Sequence, residues 1–255
     1  MIEEIRLVSR LVGAMTIPFT ITVASSQPEL VEERMDQLAT KILEELQRLE
    51  AKFSAFRADS MVSRFQQGDQ TVLLDPEFQE VYALVLVAEK ETGGAFDSYY
   101  KGVYDPTGLT KGWIIEKIFH QQLKPLLAYP WIEAVSLNGG GDMQFETKAG
   151  SDFVWKIGIE SPEDAQHLLA SLTMKTGAVA TSGFSKRGQH IQSANSFQQL
   201  TIVEKSLTQA DVWATAGLVM TESDFLDAIA QHGLSGLYIK ENAPHFFQEG
   251  ELKID

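Results

Sequence analysis

The sequence predicts an α+β fold in one compact unit, and three observations carry that reading. Two long amphipathic helical patterns precede a run of short strand patterns, with no regular βαβ alternation. The chain has 255 residues, 44% of them hydrophobic, which is enough to bury a large core and leave a cleft. No repeat, linker or low-complexity stretch divides it, so residues 1–255 read as a single domain.

The elements follow in order. Residues 11–24 (LVGAMTIPFTITVA) have the length of a signal-peptide core. Glu3 and Glu4 stand where basic residues belong, however, and Pro18 and three threonines interrupt the run. From Thr16 the pattern alternates: Ile17, Phe19, Ile21 and Val23 oppose Thr16, Thr20 and Thr22, which is a strand. Gln27-Pro28-Glu29 opens a long helix to about Phe53, with Val31, Met35, Leu38, Ile42, Leu46 and Leu49 on one face. Ser60 begins a short helix, Met61 to Gln66, which Gly68-Asp69 ends. Asp75-Pro76 opens a second amphipathic helix that stops at Gly93-Gly94.

Residues 93–113 (GGAFDSYYKGVYDPTGLTKGW) have no clean period and read as a functional loop region. A helix is predicted from near Lys111 to about Leu127, then strands at 133–137, 143–147 and 153–159. Pro162 suits the first position of a short helix after Ser161. Strands follow at 178–181, 189–192 and 199–203. Thr208 opens another helix and Asp224 a last one, and Gly236–Lys240 and the Phe246 region close the chain as strands. No run of about 18 apolar residues occurs, so no membrane-spanning helix is expected.

Composition narrows the function. Lys and Arg number 21 against 35 Asp and Glu, a net charge of −14, and there is no cysteine. Thiolate zinc sites, iron–sulfur centres, disulfide scaffolds and cysteine nucleophiles are excluded. So acidic a chain is a poor partner for nucleic acid or anionic lipid.

Four clusters could carry chemistry. Tyr104 to Gly112 is a glycine-bearing turn that runs into a helix start and carries Lys111, a combination that favours phosphate. It equally fits an ordinary loop-to-helix turn with a surface lysine, since the P-loop spacing is absent. Asn138-Gly139-Gly140-Gly141-Asp142 follows an apolar run, and its glycines suit either close backbone approach to a ligand or a tight hairpin. Thr181 to His190 joins hydroxyls, Lys186, Arg187 and one of only five histidines. It reads as a general-base site or as a solvated hairpin tip. Asp211 and Thr215 lie four apart on one helix face, a pair of hard oxygen ligands suited to Mg²⁺. Thr208 and Asp211 also fit a capping box.

Read in order, these clusters resemble the ApbE-type FAD:protein FMN transferases. Ser54-Ala55-Phe56-Arg57-Ala58-Asp59-Ser60 matches that family's Ser-x-Phe-Arg-x-x-Ser segment, and Gly94-Ala95-Phe96-Asp97 its Gly-x-Phe-Asp. Asp105 to Gly112 matches D-x-x-G-x-x-K-G, Leu137 to Asp142 the glycine-rich strand end, Ser182-Gly183 through His190 the Ser-Gly…His segment, and Ala210-Asp211 through Thr215 A-D-x-x-x-T. The match spans about residues 15–220.

The resemblance implies a fold with mixed, largely antiparallel sheets flanked by helices. It implies an Mg²⁺-dependent enzyme that moves FMN from FAD to a Ser or Thr hydroxyl of an acceptor flavoprotein and releases AMP. Asp211 and Thr215 would ligate Mg²⁺ together with the backbone near Thr110. Asp97, Lys111, Gly140, Gly141, Asp142, Ser182 and Gly183 would line the FAD site, and His190 would deprotonate the acceptor hydroxyl. FAD pyrophosphate hydrolysis and non-catalytic FAD binding are the alternatives in the same pocket. Three departures stand out: Met15-Thr16-Ile17 lacks the family's glycine, the segment from Asp97 to Asp105 is short, and Gln192-Ser193-Ala194-Asn195 replaces a usual Asp-Pro…Gly turn. Many members are lipoproteins anchored through a cysteine. This chain has none, so a cytoplasmic setting with no membrane anchor is expected.

Overall fold

The chain opens with a hairpin, β1 (Arg6–Ala14) and β2 (Ile17–Ser25), paired from Arg6 opposite Ser25 to Ala14 opposite Ile17. This computed structural model describes residues 4–164, 166–183 and 196–253. Four helices follow: α1 (Pro28–Phe53), α2 (Met61–Gln66), α3 (Pro76–Glu91) and α4 (Thr107–Ile118). Then come β3 (Ile132–Gly139), β4 (Asp142–Thr147), β5 (Trp155–Glu160), β6 (Leu168–Met174), β7 (Thr176–Gly183) and β8 (Gln199–Glu204). Helices α5 (Leu207–Val219) and α6 (Glu222–His232) lead to β9 (Ser235–Lys240), β10 (Ala243–Gln248) and β11 (Glu251–Leu252).

The fold is α+β. Among the described residues nine strands form one sheet in the order β1-β2-β3-β4-β7-β8-β9-β10-β11, antiparallel at every pairing, and β5 and β6 form a separate hairpin. One face is covered by the helices, and Phe19, Val135, Ala180 and Leu200 of the sheet join Met35, Ile42 and Leu46 of α1 in one continuous core. On the opposite face Ala134, Phe145 and Val179 pack with Trp155 and Ile159 of the β5–β6 hairpin. Central strands covered on both sides lose the in–out alternation and read as apolar runs, as Ala134-Val135-Ser136-Leu137 does. Among the described residues, no helix is long and apolar enough to cross a membrane.

Local chemistry explains most boundaries. Pro28 and Pro76 sit in the first turns of α1 and α3, and the Asp75 carboxylate accepts the Phe78 N–H as N-cap. Ser60 caps α2 by accepting the Ser63 N–H at 3.0 Å. Gly233, at φ +63°, closes α6 in the left-handed conformation.

The structure departs from the sequence reading in several places. β1 was not anticipated, because its inward positions include Arg6 and Arg10. These ion-pair with Glu29, Glu32 and Asp36 of α1, so charged side chains occupy positions where alternation calls for apolar ones. The helix expected after Ser161-Pro162 does not form. Ser161 N–H instead bonds the His167 carbonyl, and β6 pairs with β5, Trp155 opposite Met174. α4 starts at Thr107 rather than near Lys111 and ends at Ile118, continuing as a wider turn (Phe119–Leu123) and a 3₁₀ turn (Lys124–Ala128) that contains Pro125. The strand expected at 189–192 lies outside the described residues.

Candidate active site

The three elements α4, β4 and α5 converge on one charged cluster. Lys111, in the second turn of α4, forms an ion pair with Asp142 Oδ2 and lies 3.8 Å from Asp211 Oδ1. Both aspartates are buried, at 0% and 1% exposure, whereas the Lys111 side chain retains 25%. Lys111 thus serves two buried carboxylates at once, and carboxylate oxygens grouped this way are the kind of donors a hard cation takes.

Each side chain is held from behind. Asp142 opens β4 directly after a two-residue turn, Gly140 and Gly141, at φ +63° and +100°. Positive φ at both central residues is the turn that matches strand twist, and glycine supplies it without strain. Gly139 serves packing instead, since a Cβ there would lie 2.5 Å from Phe19 Cε1 and 2.8 Å from Ile115 Cδ1. The hairpin and this packing account for all three glycines. Asp142 Oδ1 accepts the Thr181 N–H at 3.0 Å, which ties β4 to β7 beside Ser182. Ser182 is 2% exposed, and its Oγ has no hydrogen-bond partner among the described residues.

Asp211 sits in the second turn of α5, with its Oδ2 accepting the Gly112 N–H at 3.1 Å. The capping-box alternative is overturned: Ser206 is the N-cap, accepting the Gln209 N–H, and the Thr208 hydroxyl donates to Glu116 Oε2. Asp211 therefore turns toward α4. Thr215 follows one turn later. A Cβ at Gly108 would lie 3.0 Å from Phe96 Cε2 and 3.5 Å from Thr215 Cγ2, which places the Phe96-Asp97 segment over this corner. Asp97 itself is exposed, with its Oδ1 accepting the Tyr99 N–H at 2.7 Å. Thr110 is buried beside Lys111. Thr107 to Gly112 of the glycine-bearing cluster thus lie within the first turns of α4, with Tyr104 to Pro106 ahead of it.

The structure brings Lys111 into contact with Asp142 and Asp211, with Gly140 and Gly141 preceding Asp142 in the chain and Ser182 following Thr181, whose N–H bonds Asp142. Gly183 ends β7, opposite Gln199 of β8. His190, Lys186 and Arg187 lie outside the described residues. Two residues that the sequence reading passed over also matter. Glu116 and Gln144 grip the first turn of α5, and the i, i+4 spacing of Glu116 from Gly112 was the available signal.

The donor set fits a hard cation. The Asp211 and Asp142 carboxylates are hard oxygen donors of the kind Mg²⁺ takes, one or two at a time, with water and phosphate oxygens completing its shell. Among the described residues no group of three or more His, Cys, Asp or Glu that could hold a metal ion occurs.

Comparison with known proteins gives this geometry its place. No curated protein matches the chain. Solved structures do: the ApbE protein from Thermotoga maritima at 20% identity and TM-score 0.76, covering 96% of this chain and 97% of that one. The flavin transferase ApbE from Vibrio cholerae matches at 17% identity and TM-score 0.71, with 96% and 98% covered. The flavinyl transferase ApbE from Pseudomonas stutzeri matches at 16% and 0.71, with 98% and 96% covered. At such identities these matches establish the shared fold. A model of the ApbE family matches residues 15–105 and 101–238, a span that contains every element of the charged cluster, and the chain belongs to the ApbE family.

Proposed function

We propose that this chain is an FAD:protein FMN transferase that moves FMN from FAD to a Ser or Thr hydroxyl of an acceptor flavoprotein. The observation that carries the reading is the Lys111–Asp142–Asp211 cluster, in a chain whose family match spans it. In the reaction the acceptor oxygen bonds the FMN phosphorus and the phosphoanhydride bond to AMP breaks. The hydroxyl proton passes to His190, an assignment that rests on the resemblance. Phosphoryl transfer needs alignment and charge neutralisation more than covalent help.

The residues divide that work. Lys111 brings positive charge to the pyrophosphate. Asp142, itself held by the Thr181 N–H, keeps Lys111 in place. Asp97, Gly140, Gly141, Ser182 and Gly183 are assigned to the walls of the FAD site. Asp211, Thr215 and the backbone near Thr110 are assigned to Mg²⁺, which when bound neutralises phosphate charge that this acidic chain otherwise repels. A cytoplasmic setting is part of the proposal and is checked by cell fractionation.

The test incubates the protein with FAD, Mg²⁺ and a candidate acceptor and measures the acceptor mass. An FMN-sized adduct with free AMP supports transfer. Free FMN and AMP without an adduct replace it with pyrophosphate hydrolysis, and tight FAD binding without either product replaces it with a flavin-binding role. Failure to bind FAD sinks all three.

A further inference from the structure

We infer that Glu116 is a positioning residue that sets the height and rotation of α5, and with them the place of Asp211 against Lys111 and Asp142. The inference rests on the proposed role of Asp211 as a cation ligand. A single oxygen, Glu116 Oε2, accepts three bonds from the start of α5: Ser206 Oγ at 2.8 Å, Thr208 N–H at 2.9 Å and Thr208 Oγ1 at 2.6 Å. Ser206 Oγ in turn accepts the Gln209 N–H. A carboxylate at a helix N-terminus satisfies donors that the helix cannot, and it opposes the positive end of the dipole.

Gln144, buried at 3% exposure, completes the grip from β4. Its Oε1 accepts the Leu207 N–H at 3.1 Å, and its Nε2 donates to the Gly177 and Lys205 carbonyls. The two gripping residues therefore come from the two elements that carry Lys111 and Asp142. One turn before Glu116, Gly112 bonds Asp211, and a Cβ there would lie 2.8 Å from the Leu207 carbonyl oxygen. α4 thus hydrogen-bonds the start of α5 from two positions, Gly112 and Glu116, four residues apart on one face. Two such contacts fix both translation and rotation of one helix on the other, where one contact would leave a pivot. Ordinary capping would require only a side chain from α5 itself, which Ser206 already supplies.

The test measures Mn²⁺ binding to the full chain, by electron paramagnetic resonance with and without FAD, for wild type, Glu116→Gln, Glu116→Ala and Thr221→Ala. Thr221 caps α6 through the Asp224 N–H, so its removal costs a cap of the same kind away from the cluster. Glu116→Ala should raise the Mn²⁺ Kd by about 10-fold to 100-fold, the usual cost of losing an outer-shell support. Glu116→Gln keeps one acceptor oxygen and should fall between Glu116→Ala and wild type. Thr221→Ala should lower Tm while leaving Kd at the wild-type value. If Glu116→Ala does not fold, a folded Glu116→Gln carries the comparison. A wild-type Kd in the folded Glu116 variants, or an equal loss in Thr221→Ala, overturns the inference. No saturable Mn²⁺ binding by wild type overturns the reading of Asp211 itself.

Discussion

The Gly112 N–H donates to Asp211 Oδ2 at 3.1 Å across an interface with no room for a side chain. A Cβ at position 112 would lie 2.8 Å from the Leu207 carbonyl oxygen and 2.9 Å from Asp211 Cβ. Both obstacles are backbone or backbone-adjacent atoms that cannot rotate away. Gly112→Ala should therefore lower stability by about 1–3 kcal/mol, the overpacking cost, even though alanine is the better helix former. Urea denaturation reads this directly. An unchanged midpoint would show that the two helices can part freely.

Lys111 ion-pairs with both buried aspartates, and its loss brings their mutual repulsion to bear. Lys111→Met should destabilise the protein by roughly 3 kcal/mol, as breaking a buried charge pair does. Millimolar Mg²⁺ should restore part of that loss, because a ligand that binds the native state alone raises its stability. The thermal midpoint with and without Mg²⁺ checks this. A Mg²⁺-induced rise no larger in the variant than in wild type counts against a cation site at Asp211.

The β1–β2 turn carries non-glycine residues in the left-handed region, Met15 at φ +50° and Thr16 at φ +61°. A β-branched residue there is strained, and this is the position where the family's glycine is missing. Thr16 is exposed, so nothing packs against its replacement. Thr16→Gly should raise stability by about 1 kcal/mol, seen as a higher Tm. A fall in Tm would mean that unfolded-state entropy outweighs the strain relieved.

Glu77 controls part of the acid response. Hydrogen bonds from Arg48, opposed by burial and joined by Lys52, hold its carboxyl at about 2, below the usual 4.5. A depressed folded-state value stabilises the protein above the unfolded value. That contribution is lost as pH falls from about 4.5 toward 2. The urea midpoint of wild type should fall more steeply over this window than that of Glu77→Gln. Parallel curves would remove Glu77 from the acid transition.

His190→Ala tests the assigned base. Transfer should drop by about 10²–10⁴-fold while FAD binding persists. A drop below about threefold, under 1 kcal/mol of barrier, would assign the proton elsewhere.

Period and punctuation alone determined much of this protein. The α1 stripe from Val31 to Leu49, the proline-started helices and the Ile17–Val23 alternation are local patterns, because burial on one face imposes a fixed spacing on the chain. The residues of the charged cluster were also legible, since Lys111, Asp142 and Asp211 stand in ordered motifs. Tertiary structure decided the rest. β1 depends on Arg6 and Arg10 meeting carboxylates from α1. β6 replaces a helix because its apolar residues find β5 across a turn. Asp211 turns from its own helix end to Gly112, 99 residues earlier, because Ser206 and Glu116 already satisfy that end. Which of two available donors a carboxylate meets is settled by what else has packed nearby, and no spacing within one segment carries that information.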